Sequence, residues 1–189
     1  MINAMFLDRD GTLIPSHEDR PISDVKDFRL LEGVVEGLRW IHQEGYKLYI
    51  VSNQSGIADG KWSEENYLEI NNKLQNELDL YGLHIEDFFM CPHSKTADCN
   101  CRKPKPGMIF QARDKYKIDL KRSYMLGNEL KDIKAGKEAG CTTILVGDSY
   151  KNRRQFDVKP DFQAENIEDA VRNGYIRRLW RPYEKVKTC

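Results

Sequence analysis

The chain has 189 residues, somewhat above the roughly 150 of an average domain, so the first expectation is one domain with modest insertions. Its 30 Lys+Arg cancel its 30 Asp+Glu, so no whole-surface field recruits nucleic acid or an anionic membrane, and any anion binding must be local. The longest apolar runs, such as Tyr46 to Val51, fall far short of the roughly 18 residues of a membrane span. The stretch Met1 to Phe6 lacks the basic start and long apolar run of a secretory signal, so a cytoplasmic chain with no membrane partner is expected. Of five cysteines, Cys91, Cys99 and Cys101 cluster beside His93. That grouping points to metal rather than disulfide.

In chain order, short apolar runs alternate with amphipathic segments. Ile2 to Leu7, Lys47 to Val51, Phe88 to Met90, Tyr124 to Leu126 and Thr142 to Val146 read as buried strands. Between them, Gly33 to Glu44 sets Val34, Leu38 and Ile41 on one helical face before the stop at Gly45. Ser63, followed by Glu64 and Glu65, starts a second helix. Along it Tyr67, Ile70, Leu74, Leu78 and Tyr81 recur at helical spacing as far as Gly82. Met108 to Tyr116 and Leu130 to Ala139 are two more helices, the latter closed by Gly140. Alternation of this kind predicts an α/β fold: a Rossmann-like parallel sheet with helices on both faces and ligands at the carboxyl ends of the strands. Residues 1–174 form the expected domain. The stretch 175–189 reads as a basic aromatic tail, with Arg177, Arg178, Arg181, Lys185 and Lys187 around Trp180 and Tyr183. Docking of that tail on its own domain is expected over nucleic-acid binding.

Four polar segments fall at strand ends or helix starts. The first strand runs into Asp8-Arg9-Asp10-Gly11-Thr12, where two carboxylates can converge on one ligand once Gly11 releases the turn. Such a pair suits covalent phosphoryl transfer, one carboxylate attacking phosphorus and the other shuttling the proton. An Asp-rich strand-end turn fits the two aspartates alone equally well. Ser52-Asn53-Gln54-Ser55-Gly56 offers a hydroxyl, two amides and free backbone N–H groups suited to phosphate oxygens. Arg102-Lys103-Pro104-Lys105 brings cations to a helix start, where one can stabilise transition-state charge. The fourth segment is Gly127-Asn128-Glu129-Leu130-Lys131-Asp132. Beside the third, Cys91, His93, Cys99 and Cys101 have the three thiolates and one imidazole of a closed structural zinc site, which leaves no position for catalytic water. Cys141 reads as core packing and Cys189 as a free terminal residue.

Taken in order, the four segments resemble the motifs of the haloacid dehalogenase superfamily of phosphohydrolases. Within it the chain is most similar to the branch containing D-glycero-D-manno-heptose 1,7-bisphosphate phosphatases and histidinol-phosphate phosphatases. The resemblance implies Asp8 as nucleophile, Asp10 as general acid/base, Ser52 as phosphate ligand and Lys103 as charge stabiliser, with Arg102, Asn53 and Gln54 on substrate. It also implies Mg²⁺ on Asp8, the Asp10 carbonyl and the fourth motif, and zinc in the 91–101 loop, which pins Arg102 and Lys103. The chain departs from the family at Asn128, where an Asp is usual. An amide oxygen brings no charge, so Mg²⁺ affinity should fall unless Asp132 or Glu129 moves in. Segments of about 40 and about 50 residues between the motifs are filled by helices, so no large cap domain is expected. The zinc loop and Pro15 to Arg20 would then be the only lids of an open site.

Three readings follow. The first is a Mg²⁺-dependent phosphomonoesterase acting, as a monomer, on a small sugar phosphate. Ser52 to Ile57 favours the heptose type, although Asp59 stands where those enzymes usually carry Arg, which would repel a second phosphate if it faced the pocket. The second reading is the same chemistry on histidinol phosphate, suggested by the five residues between His93 and Cys99. The third is a phosphate-binding relative without turnover, on account of Asn128.

Overall fold

A computed structural model describes residues 1–17, 20–22, 24–147 and 157–177. Strand β1 (Ala4–Leu7) lies inside a six-stranded parallel sheet with β4 (Lys47–Asn53), β5 (Ile85–Cys91), β6 (Tyr124–Gly127), β7 (Thr142–Val146) and β8 (Phe162–Ala164). The order across the sheet is β5-β4-β1-β6-β7-β8. β1 thus pairs with β4 on one side and β6 on the other, at the point where the winding direction reverses. A crevice at the carboxyl ends is the usual result of that reversal.

Side-chain alternation divides the core between the two faces of the sheet. Met5, Leu7, Leu48 and Ile50 pack under helices α1 (Val34–Gln43), α2 (Glu64–Asp79) and α5 (Ile167–Arg172). Ala4, Phe6, Tyr49 and Val51 face the opposite way, toward α3 (Gly107–Tyr116) and α4 (Leu130–Ala139). Burial on both faces explains why these strands read as unbroken apolar runs. Helix α2 starts on Ser63, whose hydroxyl accepts from the Asn66 amide while the Asn66 side chain accepts from the Ser63 N–H, a reciprocal cap that fixes where the helix begins. Helix α4 spans the residues its periodicity predicts, and Gly140 ends it in the left-handed region at φ 87°.

The differences from the expected elements have local causes. Ile2 leaves β1 for a single bridge to Ile118, so the strand starts later. Strand β4 continues through Ser52 and Asn53, which therefore belong to the sheet edge rather than to a free loop. Strand β5 starts earlier, at Ile85, and its charged residues are tolerated because this edge is half-buried. Glu86 pairs with Lys47 at 2.7 Å, and Asp87 receives Lys115 and Tyr116. β8 and α5 are absent from the sequence reading, each being too short for periodicity to register.

A two-stranded hairpin, β2 (Ser16–His17) with β3 (Arg20–Pro21), occupies part of the Pro15 to Arg20 lid segment. Tyr175 stacks on Phe162 at 4.7 Å, Ile176 is buried, and the Arg177 backbone bonds to the Tyr124 and Tyr46 hydroxyls. The tail thus begins against its own domain, while Arg178 to Cys189, with Trp180 and Tyr183, lies outside the described residues. Among the described residues, no helix is long and apolar enough to cross a membrane.

Helix α5 meets α1 through Gly37. A Cβ there would stand 2.8 Å from the Ile167 carbonyl carbon and the Glu168 nitrogen, both backbone atoms with little room to yield. Gly37→Val should therefore destabilise the fold by about 1–3 kcal/mol through overpacking. Urea unfolding would show it as a lower midpoint at unchanged slope; an unshifted midpoint would refute the close approach.

Candidate active site

Three strand ends deliver the polar residues to one place. Asp8 directly follows β1, Ser52 and Asn53 close β4, and Asn128 follows β6. Because β1 lies between the other two, these groups are neighbours although up to 120 positions separate them in the chain.

Lys103 arrives from the loop before α3 and is 2% exposed. Its ammonium donates to Asp8 Oδ1 at 2.6 Å and to the Val51 carbonyl at 2.6 Å, and lies 2.7 Å from Asp132 Oδ1. Burial opposes that charge, but the Asp132 and Asp8 carboxylates outweigh it and hold Lys103 protonated, above the ordinary lysine range. Burial pushes the Asp8 carboxyl up to about 7; the Lys103 cation opposes that shift and the Asp132 charge reinforces it. One ammonium serves two carboxylates, so full ionisation of both would leave the cluster one negative charge in excess. Among the described residues no donor reaches Asp8 Oδ2, which leaves that oxygen to an incoming electrophile or cation.

Asp132 was expected to be a possible Mg²⁺ ligand. In the structure it is fully buried, with Oδ1 on Lys103 and Oδ2 accepting the Glu129 N–H at the start of α4. Gly127 makes room for it, since a Cβ there would stand 2.4 Å from Asp132 Oδ2. Both carboxylate oxygens of Asp132 are thus engaged within the protein. Asn128 remains the side chain of the fourth segment beside the first, its Oδ1 accepting from the Thr12 hydroxyl at 3.3 Å and its amide nitrogen packed against Gly11. Asp8, the Asp10 carbonyl and the Asn128 amide offer only oxygen donors, the chemistry that would suit a hard dication.

The residues assigned to substrate divide in a way the sequence did not indicate. The Asn53 amide donates to the Lys103 carbonyl at 2.9 Å and accepts the Lys103 N–H at 3.0 Å, so it clamps the lysine backbone. Gln54 is fully buried and donates to Asp10 Oδ2 at 2.9 Å and to the Ser52 hydroxyl at 2.8 Å. The Ser52 hydroxyl in turn lies 3.4 Å from Asp10 Oδ2. Arg102 is half-buried, and its Nη1 has no partner among the described residues. Asp59 is exposed and ion-paired with Lys61 at 3.4 Å.

Cys91, at the end of β5, joins His93, Cys99 and Cys101, their ligand atoms all within 4.8 Å of one another. Cys91 Sγ lies 3.5 Å from His93 Nδ1 and 3.6 Å from Cys99 Sγ, and His93 Nδ1 lies 3.2 Å from Cys101 Sγ. A tetrahedron with Zn–S bonds near 2.3 Å has edges of roughly 3.5–3.8 Å, so the cluster fits a structural metal with little adjustment. Cys141 is buried on the far side of the sheet from α1, and burial pushes its thiol up to about 12, consistent with a packing role.

A parallel sheet bearing an aspartate pair after its first strand and a lysine held at that pair defines a haloacid dehalogenase-like hydrolase. The family model described as HAD-hydrolase-like matches residues 100–170. The chain is 41% identical to a D-glycero-alpha-D-manno-heptose-1,7-bisphosphate 7-phosphatase of Photorhabdus laumondii, over 77% of this chain and 84% of the relative. It is 39% identical to a D-glycero-beta-D-manno-heptose-1,7-bisphosphate 7-phosphatase of Pasteurella multocida, over 89% of this chain and 95% of the relative. The solved D,D-heptose 1,7-bisphosphate phosphatase from B. bronchiseptica, complexed with magnesium and phosphate, superposes with a TM-score of 0.83 at 26% identity, covering 92% of this chain and 98% of that one. The chain belongs to the family of the D-glycero-D-manno-heptose-1,7-bisphosphate 7-phosphatases, which are phosphoric monoester hydrolases.

Because Asp132 is fully buried against Lys103, Asp132→Ala should cost about 3–5 kcal/mol of stability, as expected when one partner of a buried ion cluster is removed. Equilibrium urea unfolding measures this, and a loss below about 1 kcal/mol would contradict the shared ammonium.

Proposed function

We propose that this chain is a Mg²⁺-dependent phosphatase that removes the phosphate at position 7 of a heptose 1,7-bisphosphate through a phosphoenzyme formed on Asp8. The observation that carries the reading is the Lys103 ammonium fixed on Asp8 Oδ1, which leaves Oδ2 as the attacking oxygen. In the first step Oδ2 bonds to phosphorus, the ester P–O bond breaks, and Asp10 gives its proton to the departing oxygen. In the second, Asp10 takes a proton from water, whose oxygen attacks phosphorus and frees Asp8. Lys103 stabilises the negative charge on the phosphoryl oxygens throughout, and Arg102, with an unpartnered buried Nη1, is the cation available to the substrate phosphate.

Asp8, the Asp10 carbonyl and Asn128 would hold Mg²⁺. The ion would supply charge neutralisation between the Asp8 carboxylate and the phosphoryl group. The neutral Asn128 gives a weaker site than an aspartate there. Pairing of Asp59 with Lys61 offsets the charge that would oppose a second phosphate, which removes that objection to a bisphosphate.

Phosphate release should be fastest from the heptose bisphosphate in a panel with single sugar phosphates and histidinol phosphate. Asp8→Asn should reduce it to background, and Asn128→Asp should lower the Mg²⁺ concentration that gives half the maximal rate. No release from any ester at millimolar Mg²⁺ would sink the proposal, and preference for histidinol phosphate would move the chain to that substrate.

The 91–101 loop is proposed to hold one structural Zn²⁺ on Cys91, His93, Cys99 and Cys101. Metal analysis of protein purified without chelators should find about one zinc per chain, and stripping it should lower the melting temperature and slow turnover together by freeing the loop that carries Lys103. Zinc-free protein with full activity would overturn this.

A further inference from the structure

Arg9, between the two motif aspartates, is the largest fully buried side chain among the described residues. A buried guanidinium needs its charge and its donors matched, and here every match is specific. Nε and Nη2 form a two-pronged contact with Asp10, at 3.1 Å to Oδ2 and 3.2 Å to Oδ1. Nη1 donates to Asn71 Oδ1 at 2.7 Å, and the guanidinium lies 4.8 Å from the centre of the Tyr67 ring. Asn71 and Tyr67 are both buried on α2, so the fork is braced by a helix that contributes nothing else to the site.

The donors on Asp10 are unevenly shared. Oδ2 accepts from Arg9, from Gln54 and, at 3.4 Å, from Ser52, whereas Oδ1 accepts from Arg9 alone among the described residues. A carboxylate oxygen has two lone pairs, so Oδ2 is saturated and Oδ1 keeps one free.

We infer that Arg9 is a positioning residue that, braced by Asn71 and Tyr67, fixes the plane of the Asp10 carboxyl so that Oδ1 is the oxygen that carries the proton. As the P–O bond of the ester breaks and Asp8 Oδ2 bonds to phosphorus, the proton passes from Asp10 Oδ1 to the departing oxygen. The carboxylate so formed is the state to which the two-pronged fork is complementary. This inference rests on the assignment of Asp10 as the acid/base. An alkoxide leaving group needs that proton, whereas a nitrophenolate leaves readily without it, so a fault in the aim of Asp10 should show in one ester and not in the other.

The test compares kcat/KM, which reports the first irreversible step, for a sugar phosphate and for p-nitrophenyl phosphate. Arg9→Lys keeps the charge and loses the fork; Asn71→Leu removes the brace without touching Asp10. Both should lower kcat/KM for the sugar phosphate at least tenfold more than for the aryl ester, a differential within the roughly 10²–10⁴-fold that general acid catalysis supplies. The loss should appear in kcat more than in KM. Asn71→Leu, the milder change, keeps the question answerable if Arg9→Lys does not fold. Equal losses on both esters, or no loss, would overturn the inference while leaving the phosphatase standing. A wild-type chain inactive on both esters would remove the proposed function, and this inference with it.

Discussion

The Lys103 ammonium touches the Asp8 and Asp132 carboxylates and the Val51 carbonyl, and these belong to the ends of β1 and β4 and to the helix after β6. Two neighbouring strands and a helix are therefore tied by one cation. Removing water from it is tolerable only because both carboxylates are within contact distance and its remaining donor meets a backbone carbonyl. The rest of the site serves that arrangement. Asn53 clamps the Lys103 backbone from β4, Gly127 leaves space for Asp132, and the Cys/His cluster ends one residue before Arg102.

This constraint changes which residues face outward. Motif reading treats polar side chains at strand ends as ligand contacts, and Asn53, Gln54 and Asp132 each also hold another polar residue in place. A buried lysine and a buried carboxyl need several fixed partners apiece, so much of the polar inventory is consumed in orientation. Among the described residues, Asp8 Oδ2, Asp10 Oδ1 and Arg102 Nη1 keep capacity for a further contact. A small set of groups with capacity left, on a rigid polar base, is the preorganised arrangement that electrostatic catalysis needs.

The sequence made the frame legible where the physics is local. Periodicity found α4 to the residue, and Ser63 marked the start of α2 because capping is a contact over three positions. It failed where the cause is distant. Helix α5 has six residues and owes its place to Gly37, a contact across 130 positions that no local pattern encodes. In the site, the chemical types at positions 8, 10, 52 and 103 marked the pocket, but the partner of each side chain depended on how the strands assemble. Two signals for the inner layer were present. Arg9 is a cation set between two acids, and Asn71 interrupts the apolar face of α2 between Ile70 and Leu74. A polar residue on a core-facing stripe implies a buried partner.

The contacts of Arg177 with Tyr46 and Tyr124 lie where β4 and β6 begin, whereas Asp8, Asn53 and Asn128 lie where strands end. The seven residues of β4 separate these two edges by about 20 Å. Arg177, then, is held at the edge of the sheet opposite the chemistry. Attaching a carrier or a solid support at the Arg177 edge of the sheet would therefore leave about 20 Å between it and the reactive groups.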